Sequence, residues 1–198
     1  MTDVLIVGGG LAGLVSSIEL SRKGFEVVVI ERKTYPFHRV CGEYVSNEVR
    51  PYLEKLGLDL NSLGIKEIQR FQLSSPSGRV LETPLDLGGF GVSRYRLDFA
   101  LYELAKKTGV QFVLGETVEN VEYLHDEFQA TTANRLRLKA RSVLGSFGKN
   151  SRMDKSLDRD FTRKKSPYVG VKYHIKTQFP QDPVSYTHLA GDSQMTLP

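Results

Sequence analysis

Residues 3–33 read DVLIVGGGLAGLVSSIELSRKGFEVVVIERK, and the fold class follows from this stretch. Residues 4–7 are a short apolar run, the signature of a strand buried on both faces. Gly8, Gly10 and Gly13 follow as G-x-G-x-x-G. A helix is expected over residues 11–23, with Leu14, Ile18 and Leu20 as core contacts and Gly24 as its end. Residues 25–30 form a second apolar strand, closed by Glu31, 21 positions after Gly10. That spacing is near the ~20 at which an acidic residue meets a ribose. In such a β-α-β unit, Gly8 allows a tight turn, Gly10 lets a pyrophosphate reach the backbone, and Gly13 lets helix and sheet approach. The helix N-terminus adds unpaired N–H groups and partial positive charge. Glu31 accepts from ribose hydroxyls and repels a 2′-phosphate. The unit therefore reads as a dinucleotide-binding turn.

Outward from this unit, the 198 residues suffice for one to one and a half domains. Hydrophobic content of 40% and charged content of 25% are those of an ordinary globular protein. No apolar run approaches the ~20 residues of a membrane span, and the first strand begins almost at Met1, so no leader is expected. Cys41 is the only cysteine, which excludes an intrachain disulfide and makes a reducing cytoplasm the expected location. Net charge is +4. Residues 149–165 hold seven Lys/Arg against three Asp/Glu. This is either a solvated helix face or a docking stretch for an acidic carrier protein or an anionic membrane surface, the latter giving a peripheral membrane location. No nucleic-acid partner is expected. His38, His125, His174 and His188 have no metal-ligand spacing, and no G-x-S-x-G elbow supports a hydrolase.

Further along, residues 33–42 form a loop holding Arg39, a cation within reach of phosphates on the first turn or else a surface residue. Ser46 is expected to cap a helix running to Leu56. Residues 71–73, 79–81 and 91–93 are expected strand pieces, with Pro84 and Gly88-Gly89 breaking the pattern between them. A second helix begins at Ser93 or Arg94 and ends at Gly109. Residues 110–114 supply a third parallel strand, and 117–123, 128–132 and 141–144 three short strands. Met153, Leu157 and Phe161 form a helix stripe, and residues 168–175 return to strand character.

The landmarks, in order, are Gly8-x-Gly10-x-x-Gly13, Glu31-Arg32, Arg39-Val-Cys41-Gly42, Arg94-x-x-Leu97-Asp98-x-x-Leu101, Gly145-x-x-Gly148-x-x-Ser151 and Gly191-Asp192. The chain resembles the FAD-dependent oxidoreductases of the para-hydroxybenzoate hydroxylase fold, and among them the geranylgeranyl-reductase-like branch, where a Cys-Gly pair follows the first βαβ unit. The resemblance implies an α/β fold: a three-layer Rossmann-like FAD-binding domain, with a parallel sheet and a β-meander, beside a partial β-rich domain. FAD-binding segments are expected at 1–68 and 93–165, substrate-domain pieces at 69–92 and 166–183, and a Gly-Asp tail at 184–198.

By the same resemblance, Gly8, Gly10 and Gly13 cradle the FAD pyrophosphate, and Glu31 with neighbouring Arg32 lies at the adenosine ribose. Arg39 and Arg94 contact the cofactor, and Asp192 meets the ribityl chain. The family's Gly-Ala-Asp-Gly reads Gly145-Ser-Phe-Gly148 here, so no ligand is assigned at that aspartate position. No catalytic residue is assigned; Cys41 is either a thiol lining the flavin pocket or a plain buried residue. NAD(P)H is the expected reductant, and the reaction is either hydroxylation or C=C reduction of an isoprenoid, lipid-like or aromatic small molecule. An NAD-dependent dehydrogenase and a non-catalytic dinucleotide-binding module are the alternatives. In the resembled family a broad sheet separates a segment like 168–175 from the Gly-Asp motif, whereas here only 176–189 intervene. Residues 184–189 resemble translated sequencing-adapter DNA. A truncated or spliced reading, inactive toward substrate, is therefore expected.

Overall fold

A computed structural model describes residues 2–75, 77–148, 153, 154, 157 and 159, and the backbone of 185–188. In chain order its elements are β1 (Thr2–Val7), α1 (Leu11–Arg22), β2 (Val27–Glu31), β3 (Tyr44–Ser46), α2 (Arg50–Lys55), β4 (Lys66–Ser74), β5 (Val80–Gly91), α3 (Arg94–Lys107), β6 (Gln111–Leu114), β7 (Val118–Leu124), β8 (Glu127–Thr132), β9 (Arg137–Gly145) and β10 (Ser185–His188). They form two compact units. The first lies within Met1–Arg39 and Arg94–Val171, the second within Val40–Ser93 and Lys172–Pro198.

The first unit is built on a sheet of order β6-β2-β1-β9-β8-β7. β1 runs parallel to β2, with Val4 opposite Val27 and Val7 opposite Ile30. β6 extends the parallel part beyond β2, as the apolar run at 110–114 predicts. β9 is longer than the expected 141–144 and does two jobs. Its first half pairs antiparallel with β8, from Thr131 opposite Arg137 to Phe128 opposite Ala140. Its second half runs parallel to β1, ending with Val7 opposite Gly145. One strand thus joins the meander to the parallel layer.

Strand alternation divides the core. Leu5, Val7, Val28 and Ile30 cluster with Val118, Ala130, Ala140 and Met153, so the meander covers one face of the parallel strands. Ile6, Val27 and Val29 alternate with them and are equally buried, on the face where α1 packs on β1 and β2 and against α3. The buried side of α3 carries Leu97, Leu101 and Ala105. Helices, parallel strands and meander are the three layers expected. Of the stripe at 151–161, Met153 is buried and Leu157 is 50% exposed. Phe161 lies outside the described residues, as does the strand expected at 168–175.

The second unit corrects the expectation of short strand pieces. Residues 66–74 and 80–91 are not short pieces but two long antiparallel strands. Pro84 and the glycine pair leave β5 unbroken because the register shifts between Ile68 and Arg70, whose partners are Gly89 and Pro84. A bulge of this kind accommodates residues a regular ladder would reject. Residues from Val40 onward belong to this unit because β3 pairs with β5, Tyr44 opposite Gly91. Buried Leu53, Leu56, Leu58 and Leu60 and the Arg50 guanidinium 4.9 Å over the Phe90 ring complete its core. Ser46 does cap, its Oγ accepting from Glu48 N at 3.3 Å, but over a single 3-10 turn that precedes α2. In the segment expected as a Gly-Asp tail, residues 185–188 run parallel to β4.

Candidate functional site: the turn after β1

β1 lies between β2, which follows it through α1, and β9, which the chain reaches only after the meander, so the strand order reverses at β1. In open parallel sheets, ligands collect at the carboxyl ends of strands at such a switch point. The turn at Gly8–Gly10 stands there. Gly8 has φ +107, and a Cβ on it would lie 2.5 Å from Ser146 O and 2.7 Å from Phe147 Cα. Both facts demand glycine. A Cβ on Gly13 would overlap Gly8 O and lie 2.6 Å from Ser146 Oγ, so α1 leaves the strand end with no room for a side chain. Gly10 differs: among the described residues, a Cβ there meets nothing within 4 Å, and its φ of −81 suits any residue. It is the N-cap of α1, yet no side chain caps the helix. The 12-residue helix thus starts without a side-chain cap, at a glycine whose side-chain position is open among the described residues. Such a position fits an anionic group of pyrophosphate size.

Glu31 ends β2 and is buried to 5% exposure. Its Oε2 accepts from Gly9 N at 2.9 Å and from an Arg39 terminal nitrogen at 3.1 Å. Its Oε1 accepts from Lys33 N at 3.1 Å. Of the roughly four lone-pair sites of a carboxylate, about one is left, on Oε1, for another donor. Arg39 also donates through Nε to Asp98 Oδ2 at 3.1 Å. Asp98, 2% exposed, is gripped on its other side by Arg94, Nε to Oδ1 at 2.6 Å and NH2 to Oδ2 at 2.8 Å. Two carboxylates and two guanidiniums thus form one charge-balanced chain from α3 to the glycine turn. Buried carboxylates require such partners.

An aromatic wall stands beside this chain. The Tyr35 ring stacks on Tyr102 at 4.4 Å, Tyr102 meets Phe112 edge-on at 4.7 Å, and Phe37 carries the Arg39 guanidinium 4.4 Å over its ring. The Tyr35 hydroxyl donates to Gly9 O. Burial pushes its ionisation well above the ordinary tyrosine range, and the Glu31 charge pushes it further, so the phenol stays protonated.

The structure therefore brings together Gly8, Gly10, Gly13, Glu31, Arg39 and Arg94. It joins Arg39 and Arg94 to carboxylates of the chain itself. Arg32 is exposed and takes no part in these bonds. Asp192 lies outside the described residues. Cys41 is half-buried in the second unit, where its Sγ accepts from Glu43 N at 3.4 Å. Among the described residues, no cluster of His, Cys, Asp or Glu could hold a metal, and no helix is long and apolar enough to cross a membrane. Sequence reasoning missed Gly9, Tyr35 and Ser146. Ser146 N donates to Val7 O at 2.8 Å and its Oγ to Gly8 O at 2.6 Å, so Gly145-Ser-Phe-Gly148 braces the turn. The middle glycine of the Gly8-Gly9-Gly10 run was the one available signal, and the helix motif already contained Asp98.

Comparison with known proteins agrees with this geometry. A family described as FAD binding domain matches residues 1–189. The Menaquinone reductase of Mycobacterium tuberculosis is 27% identical over 195 residues, covering 94% of this chain and 47% of that protein. A flavin-dependent halogenase of Aspergillus carbonarius is 28% identical, covering 62% of this chain and 26% of the halogenase. The chain thus spans about half the length of the first of these curated relatives, or less. Among solved structures, halogenase PltM in complex with phloroglucinol and FAD superposes with a TM-score of 0.67 at 17% identity, over 79% of this chain and 36% of PltM. A flavoprotein/dehydrogenase from Cytophaga hutchinsonii gives 0.68 at 20% identity, over 85% of this chain and 44% of that one. These likenesses show the shared fold. With a family match along nearly its whole length, the chain belongs to the FAD binding domain family of flavoproteins.

Proposed function

We propose that the first unit holds the adenosine diphosphate half of FAD, and that the protein acts as an NAD(P)H-reduced oxidoreductase on an isoprenoid, lipid-like substrate by C=C reduction. The observation that carries the cofactor assignment is Gly10: open space beside an uncapped helix start, at the switch point of the sheet. There the helix terminus takes the pyrophosphate charge. The remaining acceptor site of Glu31 takes a ribose hydroxyl, and its negative charge disfavours a 2′-phosphate. Asp98 holds Arg39 and Arg94 in place against solvent. Bound FAD supplies hydride transfer or oxygen activation, chemistry that no side chain provides.

The substrate class rests on the likeness to the Menaquinone reductase, which runs along 94% of this chain, against 62% for the Aspergillus halogenase. Such a substrate partitions into bilayers, so the reading includes a cytoplasmic protein that works at the membrane surface. The monooxygenase-type reading is favoured by the halogenase relatives and is separated by product mass.

Two measurements test the proposal. Titration with FAD, followed by visible absorption and flavin fluorescence, should show binding that Gly10→Val weakens at least tenfold, about 1.4 kcal/mol, in a protein that stays folded with a modestly lower melting temperature, since Val is a poorer N-cap than Gly. Unaltered affinity in Gly10→Val would remove the pyrophosphate from this turn. Anaerobic NAD(P)H oxidation with a polyprenyl quinone should yield a product that remains two hydrogens heavier after any quinol ring is chemically reoxidised to quinone. A product that gains oxygen, and only in air, would replace the reductase reading with the monooxygenase one.

A further inference from the structure

We propose that Tyr35 is a positioning residue for the phosphate-binding turn: its hydroxyl, seated on Gly9, fixes the peptide that leads from β1 into the N-terminus of α1. This rests on the reading of that turn as the pyrophosphate site and extends it to a residue outside the glycine motif. Gly9 occupies the position the motif leaves unspecified. In this chain a side chain there would displace its neighbours, because a Cβ would overlap the Tyr35 hydroxyl and lie 3.1 Å from Glu31 Cβ and 3.2 Å from Tyr35 Cζ.

The Gly9 peptide is held at both ends. Its N–H donates to Glu31 Oε2 at 2.9 Å, and its carbonyl accepts from the Tyr35 hydroxyl and, at 3.5 Å, from Arg39. Gly8-Gly9-Gly10 is the most conformationally free tripeptide a chain can contain, and it loses the most freedom on ordering. Backbone bonds hold its two ends, Gly8 N to Ile30 O at 2.8 Å and Leu14 N to Gly10 O at 2.9 Å, and side chains hold Gly9 between them. Glu31 answers for the N–H. Tyr35 answers for the carbonyl, and its own ring is immobilised by stacking on Tyr102 at 4.4 Å and by Phe37 at 5.3 Å. A turn ordered before the ligand arrives needs less ordering when it binds.

Tyr35→Phe keeps the ring and removes only the donor. In the 198-residue chain, calorimetric titration should show FAD and ADP bound about three- to tenfold more weakly, the scale of one hydrogen bond, with adenosine affinity unchanged. A merely structural role would weaken all three ligands alike. Gly9→Ala should weaken ADP binding in the parent chain and do so less in the Tyr35→Phe background, where the hydroxyl it collides with is gone; contacting residues couple in this way. Parallel melting curves check that each variant is folded. Equal losses for ADP and adenosine, no loss in Tyr35→Phe, or additive effects of the two substitutions would each overturn this proposal alone. A parent chain that binds neither FAD nor ADP would overturn the cofactor reading and this one with it.

Discussion

The chain carries two glycine clusters, one in each unit, and in each a tyrosine sits on a glycine. In the first, Tyr35 covers Gly9; in the second, the Tyr44 ring covers Gly89 and its hydroxyl donates to Gly88 O at 3.0 Å. Their remaining surroundings separate them. A Cβ on Gly88 would meet Asn47 Nδ2 and Ile68 O at 3.2 Å, and one on Gly89 would lie 2.6 Å from Val45 O. The pairing of β5 with β3 on one side and β4 on the other therefore accounts for that cluster. In the first cluster, Gly8, Gly9 and Gly13 are likewise explained by neighbours, and Gly10 is not. Gly42 also has open surroundings and no left-handed φ, but it begins no helix. A glycine required by packing reports on the fold. One with nothing beside it, at an uncapped helix start, reports on what binds there.

The comparison extends to charge, and the largest expected effect lies here. Asp98 is 2% exposed and bonded to two arginines. Glu67, which pairs with Arg50 at 2.6 Å in the second unit, is 54% exposed. Asp98→Ala should destabilise the protein by about 3 kcal/mol, because it leaves guanidiniums without a carboxylate in a partly buried site. Glu67→Ala should cost under about 1 kcal/mol. Chemical denaturation of the two variants measures both. Equal losses would mean that the buried chain of charges contributes no more than a surface pair.

Next in size come the packed glycines. Gly13→Ala and Gly89→Ala should each cost about 1–3 kcal/mol, since each introduces a methyl where none fits. They should differ in binding. Gly13→Ala shifts the turn and lowers FAD affinity, whereas folded Gly89→Ala retains it. Loss of FAD binding in Gly89→Ala, measured at a temperature where it is folded, would erase the distinction between the clusters.

The smallest change in stability should come from Gly10→Ser, which supplies the missing N-cap side chain. The helix should gain a few tenths of a kcal/mol while FAD affinity falls, because the new hydroxyl occupies the ligand's approach and satisfies N–H groups it would use. Melting temperature and FAD titration should thus move in opposite senses. Both rising together would show that Gly10 is not a ligand position.

Much of the first unit was legible because its signals are local. Apolar runs at 4–7 and 25–30 mark strands buried on both faces, and β1 and β2 formed there. The second unit was less legible. Pro84 and Gly88-Gly89 act as strand breakers by their backbone preferences, but β5 runs through them because a register shift and the Tyr44 ring accommodate them. The role of β9 was hidden for a similar reason, since local pattern identifies a strand without naming its neighbours on either side.

The sequence by itself determined the βαβ unit, the position of the glycine turn at a helix start and the acid at the end of the second strand. These depend on periodicity and on conformational preferences that act over a few residues. Only the tertiary structure decided which side chains hold that turn. Tyr35 meets Gly9 across 26 positions, Arg39 meets Asp98 across 59, and Ser146 meets Gly8 across 138. Contacts at such separations are set by sheet order and by the crossing of helices over it, because a side chain's partner is whatever the packed layers bring within hydrogen-bonding distance.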